Sequence, residues 1–446
     1  MCCDCCFEVM RGMLSGRLSG RGALKWYEGR YSPWCRHHHR ADKWITVYLS
    51  DYSEGEKGCY DLVLDFYTLF DYFRYLEFQG ESGEDSYSFN VETPRLSTFF
   101  YVADYRGEEK PHRGHYYMNL EVLAERWQRG TVAPPEGNRP AYYIASYSGN
   151  QENKNTDGQL LIAAEPMVYP QRMFLDYLNK AALPALKTTD YKLKVNNVEQ
   201  GNWNEILADN EPYLMFDIGT NAFGENIEND IQRQLRNHPL QKDVTALFIS
   251  HWHADHYNIL TGMNNAERNH IKQLVCTSSI YNLTAFNIIL WYNLNPQTTL
   301  CMLNHPSRVK WQRKELIDGI LYMYVRRFVK SNPNNGGLLL YFNGAKNSVT
   351  LTGDANYSTI QEVTNDGITK ANSQGGYYLV VPHHGGSAGK YTCNIDARVQ
   401  KHEAIVSVGE INPYNHPDDD ILRSLQNSFR HVTCTSYNQY EDTREL

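Results

Sequence analysis

Long apolar runs are missing from this 446-residue chain. No stretch approaches the roughly 18 apolar residues of a membrane-spanning helix. The first residues carry charges and glycines where a secretory leader needs an apolar centre, so a cytoplasmic protein is expected. Net charge is small as well. Lys+Arg 43 against Asp+Glu 51 gives -8, and neither side of residue 190 is net positive, which excludes a dedicated basic nucleic-acid module. Compositional bias is absent too: 41% hydrophobic and 21% charged residues, with mean hydropathy -0.57, describe a globular chain. At roughly 150 residues per domain it holds two or three units. Zinc-finger spacing is also lacking. Of the 10 cysteines, Cys2, Cys3, Cys5 and Cys6 form two adjacent pairs separated only by Asp4, whereas a structural zinc site needs its pairs held apart by a loop.

What is present divides into three stretches. Residues 1–43 form a basic, Cys-rich arm with Leu-Ser-Gly-Arg repeated at 14–17 and 18–21; it reads as a solvated tail of reduced thiols, with phosphate contact the alternative. Residues 44–190 alternate short tyrosine-bearing apolar runs with acidic turns, as a mixed α+β region of unassigned role would. Tyrosine suits half-buried strands, and an aromatic recognition surface for a protein partner is the other reading. The polar Ser146 to Gly158 predicts a loop. Pro166 to Ala185 carries Met173, Phe174, Tyr177, Leu178 and Ala181 at helical spacing.

Beyond 190, five apolar runs of strand length each end in a group able to hold a metal or substrate: Tyr213 to Phe216 before Asp217, Val244 to Ile249 before His251, Val349 to Leu351 before Asp354, Tyr377 to Val381 before His383 and His384, and Ala404 to Val408 before Glu410. Continuous apolar strands are those covered on both faces, and α/β sheets place ligands beyond strand ends. Amphipathic helices are predicted over Glu225 to Asn237 and Asp418 to Phe429, and a hairpin joins Leu338 to Phe342 with Ser348 to Leu351 through Asn343-Gly344.

His251-Trp252-His253-Ala254-Asp255-His256 places three imidazoles and a carboxylate in six residues directly after a strand. His251 and His253 can share one ion while Asp255 and His256 reach a second; zinc takes such donors, as do manganese and iron. Asp354 and His384, at other strand ends, would complete the shells, with Asp354 as the natural bridge. A pair of ions roughly 3.5 to 4 Å apart lowers the pKa of a shared water and clamps attacking and leaving oxygens.

The hexapeptide, Phe216-Asp217-Ile218-Gly219, Thr352-Gly353-Asp354 and Pro382-His383-His384-Gly385-Gly386 resemble, in order, the motifs of the metallo-β-lactamase fold superfamily. Val198-Glu199-Gln200-Gly201-Asn202 and Ser407-Val408-Gly409 with Asn412 and His416-Pro417 are more narrowly similar to the hydrolase domain of ComEC-type DNA-uptake proteins and its soluble relatives. The resemblance covers about 191–446. It implies an α/β fold, an αββα sandwich at the C-terminal side; a site with His251, His253, Asp255, His256, Asp354 and His384 as metal ligands; and Asp217 orienting the ligand loop. His383 would face substrate. Many members carry a further histidine ligand between hexapeptide and bridge; the stretch 257–353 offers His270 and His305, of which His305, after the apolar Cys301 to Leu303, is the candidate, and ComEC-like relatives often lack this ligand.

The resulting expectation is a metal-dependent hydrolase with two divalent ions, zinc or manganese, acting on an anionic phosphodiester such as nucleic acid or nucleotide. Asp255, His383 and His416 are its catalytic candidates. For His416 the alternative is a capped helix start before Asp418 to Asp420. Lactone or thioester hydrolysis is the second enzymatic reading. A reading of another class makes 1–190 a partner-recognition region and the metal domain its effector or scaffold.

Overall fold

The computed structural model describes residues 43–54, 59–68, 71–72, 74–75, 100–105, 111–126, 160–163, 183, 190–221, 227–327, 336–391, 394–410, 412, 414–437 and 443–446. The N-terminal arm, the expected loop at 146–158 and nearly all of the expected helix at 166–185 lie outside these residues. The chain divides into two compact units. One comprises Met1–Met173 with Phe223–Ile227 and Ile280–Leu294, the other Phe174–Ala222, Glu228–Ser279 and Asn295–Leu446. No described helix is long and apolar enough to cross a membrane.

The first unit is built on an antiparallel sheet of β1 (Trp44–Glu54), β2 (Tyr60–Phe66), β3 (Phe100–Tyr105), β4 (Gly114–Asn119) and β5 (Leu161–Ala163), in the order β3-β2-β1-β4-β5. Helix α1 (Leu120–Arg126) follows β4, its first turn capped where Asn119 Oδ1 accepts from the backbone of Glu121 and Val122. Later sequence completes the unit. Helix α3 (Leu283–Leu294) contacts β2, while α2 (Ile227–Asn237) belongs, after its first residue, to the second unit. Leu283 to Tyr292 are all buried, as expected for a helix that is apolar all round.

The second unit holds two mixed sheets of seven strands each. In one, β6 (Tyr191–Val195), β7 (Asn204–Ala208), β8 (Glu211–Phe216), β9 (Ala246–Phe248), β10 (Gln273–Thr277) and β11 (Thr299–Leu303) join β19 (Thr443–Glu445), in the order β11-β10-β9-β8-β7-β6-β19. In the other, β12 (Trp311–Ile317), β13 (Leu321–Arg326), β14 (Leu338–Asn343), β15 (Asn347–Leu351), β16 (Gly375–Val380), β17 (Val399–Val406) and β18 (His431–Cys434) lie in sequence order. The sheets face each other. Leu193, Ile206, Phe216, Phe248 and Val275 of the first share one core with Met323, Leu340, Val349, Val380 and Ile405 of the second.

Alternation along the strands explains the outer layer. Leu338, Leu340 and Phe342 point into the shared core, while Leu339 and Tyr341 point the other way, under Ile360, Val363 and Ile368 of α4 (Tyr357–Ala371) and near Leu425 of α5 (Asp419–Gln426). Strands covered on both faces read as unbroken apolar text, which is why β14 is Leu-Leu-Leu-Tyr-Phe-Asn. The predicted hairpin is present, β14 and β15 joined by a turn in which Gly344 N donates to Asn347 O. Helices form within both predicted stretches, as α2 and α5.

Candidate metal centre

β8 and β9 run parallel, side by side, so their C-terminal ends lie together. β8 leads into Asp217, whose φ of 58° turns the chain sharply; short-branched polar residues tolerate that region best. The hexapeptide is bracketed by backbone bonds. Asp217 N donates to Phe248 O at 2.8 Å, Ile218 N to His256 O at 2.8 Å, Asn202 N to Asp255 O at 3.0 Å, and Gly219 N to Asn202 O at 2.8 Å. A Cβ at Gly219 would lie 1.9 Å from Asp255 O, so glycine is required where the two loops touch.

Asp217 is fully buried and collects three donors. Its Oδ1 accepts from Ser250 N at 2.7 Å, and its Oδ2 accepts from Ser250 Oγ and from His256 Nδ1, each at 2.8 Å. Because the Ser250 proton goes to a carboxylate, its oxygen is left to accept, and His251 Nδ1 lies 3.0 Å away. Both imidazoles therefore carry hydrogen on Nδ1 and turn Nε2 inward. Nε2 of His251 is 2.8 Å from His253 Nδ1 and 3.5 Å from Asp354 Oδ2; Nε2 of His256 is 3.2 Å from Asp354 Oδ1.

The opposite wall comes from β15 to β17. Thr352-Gly353-Asp354 follows β15, with Gly353 at a φ of 52° and no room for a Cβ, which would meet Ser250 Oγ at 2.6 Å. After β16, His383 and His384 both adopt left-handed backbone, at φ 52° and 54°. Such a pair costs of order 1–3 kcal/mol per residue and persists where the surroundings demand it. The turn sends the two rings apart. His384 Nδ1 donates to Ser407 O at 2.8 Å and its Nε2 reaches to 3.2 Å from Asp255 Oδ2, while His383 Nδ1 lies 3.0 Å from Asp354 Oδ2 with its side chain 23% exposed.

Two groupings result, His251 with His256 and Asp354, and Asp255 with His256 and His384; within each the donor atoms lie within 4.8 Å of one another, and all five residues are buried. Burial opposes the charge on Asp354, yet His256, His383 and His251 outweigh it and hold this carboxyl well below its usual range. Burial likewise opposes a charged His256, but Asp354, Asp255 and Asp217 raise it well above an ordinary histidine. At His251, burial and the neighbouring His256 push downward. His256 and His384 thus spend Nδ1 on fixed acceptors and present Nε2 to carboxylate oxygens. A carboxylate oxygen facing Nε2 calls for a cation between the two, either a second ring proton or a metal ion, and imidazole with carboxylate is a donor set for zinc or manganese. The residues fit a divalent metal.

Other expected site residues stand apart from these groupings. His253 meets the centre at His251, its Nδ1 2.8 Å from His251 Nε2. His305 donates Nδ1 to Arg326 O at 2.7 Å and belongs to neither grouping, and burial lowers its pKa. His270 pairs with Asp243 at the surface. His416 lies beside His383, ring centroids 5.6 Å apart, and stacks on Tyr414 at 13°. Asn412 clamps its backbone, accepting from His416 N at 2.8 Å and donating to His416 O at 2.9 Å. A Cβ at Gly386 would come within 2.4 Å of the His416 ring, so this glycine makes room for it. Sequence reading missed Ser250, whose signal was its place between a strand and a ligand cluster.

No family model matches the chain, and no curated protein matches it. Among solved structures, Tm1679, a metal-dependent hydrolase of the β-lactamase superfamily, is similar at 11% identity over 57% of this chain and 99% of that one, with a TM-score of 0.32. At that degree of likeness the chemistry rests on the site itself.

Proposed function

We propose that the chain is a metal-dependent hydrolase that cleaves phosphodiesters, with His251, His253, Asp255, His256, Asp354 and His384 holding one or two divalent ions, zinc or manganese. The supporting observation is the pair of buried imidazoles, His256 and His384, whose Nε2 atoms each lie 3.2 Å from a carboxylate oxygen while their Nδ1 atoms are committed as donors. Bound divalent ions supply Lewis acidity and make water nucleophilic at neutral pH.

The chain's own groups do the rest. Asp217 and Ser250 lock the orientation of the first ligands, so that little rearrangement accompanies reaction. His383, partly exposed and hydrogen-bonded toward Asp354, lies on the open side and positions the substrate. His416 beside it gives a proton to the departing oxygen. An anionic substrate is favoured by the local charge once cations occupy the centre.

The test is elemental analysis of wild type and the His253→Ala/Asp354→Ala double variant, followed by phosphodiester, lactone and thioester assays with zinc and with manganese. Bound metal that falls sharply in the variant, with matching loss of phosphodiester cleavage, is the expected result. Wild type that binds no metal at neutral pH overturns the proposal, and turnover confined to a lactone or thioester overturns the substrate class.

A further inference from the structure

The strand register carries positive charge to the rim where Asp354 lies. Trp311 of β12 stands opposite Arg326 of β13, Val325 of β13 opposite Leu338 of β14, and Leu340 of β14 opposite Leu351 of β15, which runs on to Asp354. Backbone bonds extend the same line. Arg327 N donates to Lys310 O, Arg326 N to Gly337 O, and Leu338 N to Ser250 O. The start of β12, the end of β13 and the metal centre therefore share one edge of the second sheet.

This edge concentrates Arg308, Lys310, Arg326 and Arg327 in a chain of net charge -8. Glu362 of α4 pairs with Lys310 at 2.6 Å and acts electrostatically on Arg326. Arg308 and Arg327 are exposed. Arg313, which pairs with Asp366, lies farther along β12, as do Lys314 and Glu315. His305 holds the segment in place, since the hydrogen bond from its Nδ1 to Arg326 O fastens the chain just before Arg308 to the end of β13. That role accounts for a half-buried histidine outside the metal groupings.

We infer that this basic rim is the binding track for single-stranded nucleic acid, whose phosphates flanking the scissile bond meet Arg308, Lys310, Arg326 and Arg327. β13 lies two strands and β12 three strands from β15, about 10 and 14 Å at the usual strand spacing. At roughly 3.4 Å of rise per nucleotide in a stacked strand, this edge spans about four nucleotides, beyond the reach of a small phosphodiester. The ligands are buried while His383 and His416 are partly exposed, which favours one flexible strand over a duplex. The inference rests on the phosphodiesterase reading and specifies its substrate.

The test measures binding and cleavage separately on the full chain. Fluorescence anisotropy with a labelled oligodeoxythymidylate in the presence of EDTA, over a series of salt concentrations, compares wild type with Arg308→Ala/Arg327→Ala and with Arg308→Glu/Arg327→Glu. Lys242→Ala, at the start of the segment before β9, serves as the charge control. Loss of two phosphate contacts should flatten the dependence of log K on log salt by about 1.4 at roughly 0.7 per single-strand contact, and charge reversal should weaken binding further. Lys242→Ala should bind as wild type does, and metal content should be equal in all four proteins. Wild type that ignores the oligonucleotide, or double variants that keep wild-type affinity and salt slope, overturns the inference. Rim-dependent binding without cleavage in added metal leaves the track standing and removes the hydrolase; cleavage of bis(p-nitrophenyl) phosphate by a protein that ignores the oligonucleotide does the reverse.

Discussion

Two buried histidines, one in each unit, shift in opposite directions. His115 of β4 lies in a cross-strand row with Tyr48 of β1 and Asp65 of β2, and burial pushes its pKa down to about 4. His256 is equally buried, yet Asp354, Asp255 and Asp217 raise it well above the ordinary value. In the first unit two of this row's polar groups reach the backbone: His115 Nε2 donates to Tyr281 O at 3.0 Å, and Asp65 Oδ2 accepts from Thr284 N at 3.2 Å. Tyr48 stacks on Tyr281 at 19°. That row is a latch for the start of α3. In the second unit imidazoles meet carboxylates. Carboxylate company, not burial, marks a place for positive charge.

The comparison breaks most visibly at Asp354. Asp354→Ala removes a carboxylate facing three imidazoles and should weaken metal binding by at least about 100-fold, since losing even an outer-shell partner typically costs 10–100-fold. Titration with zinc against a competing chelator measures it, and wild-type affinity in the variant would refute the assignment of Asp354 as a ligand. The latch should instead answer to protons. The folded-state pKa of His115 lies below its unfolded value, so neutral pH leaves stability intact. As pH falls from 6.5 toward about 4 the unfolded chain gains a proton the folded unit refuses, and stability drops by about 1.4 kcal/mol per pH unit. His115→Gln, which keeps an Nε2 donor, should flatten that slope in denaturant unfolding. An unchanged slope would show that other groups carry it.

The residues of the two groupings were legible in the sequence because the strands before them are apolar text ending in a ligand-type residue. His305 shows the limit of that pattern: it too follows an apolar strand, β11, but its Nδ1 finds the carbonyl of Arg326. Ser250 was hidden for another reason. Serine has no periodicity and acts through one hydroxyl, and its partners Asp217, His251 and His256 converge only when β8 and β9 are side by side. Helix α3 was illegible as a member of the first unit. Its apolar surface says that it is enclosed, not by which core, and the deciding cap comes from Asp65, 219 residues away.

Ser250 sharpens the comparison at intermediate scale. Ser250→Ala removes the acceptor that keeps hydrogen on His251 Nδ1, and metal affinity should fall by about 10–100-fold. Nitrogen-15 spectra of the metal-free protein should show His251 losing its single tautomer, with Ser250→Thr restoring both. A single tautomer that survives in Ser250→Ala would assign that role to other neighbours.

The smallest effect should come from Asp65→Asn. The carboxamide keeps an oxygen able to accept from Thr284 N, so only the charge-assisted part of the cap is lost, a cost of about 1 kcal/mol or less. Asp65→Ala leaves the N–H at the buried helix start without that acceptor and should cost about 1–3 kcal/mol. In both variants the divalent metal content should stay at the wild-type value, because the latch contributes no ligand. If Asp65→Ala lowers metal content without unfolding the first unit, the latch and the centre are energetically one system, and the contrast between a backbone-satisfied histidine and a cation-requiring one no longer separates them.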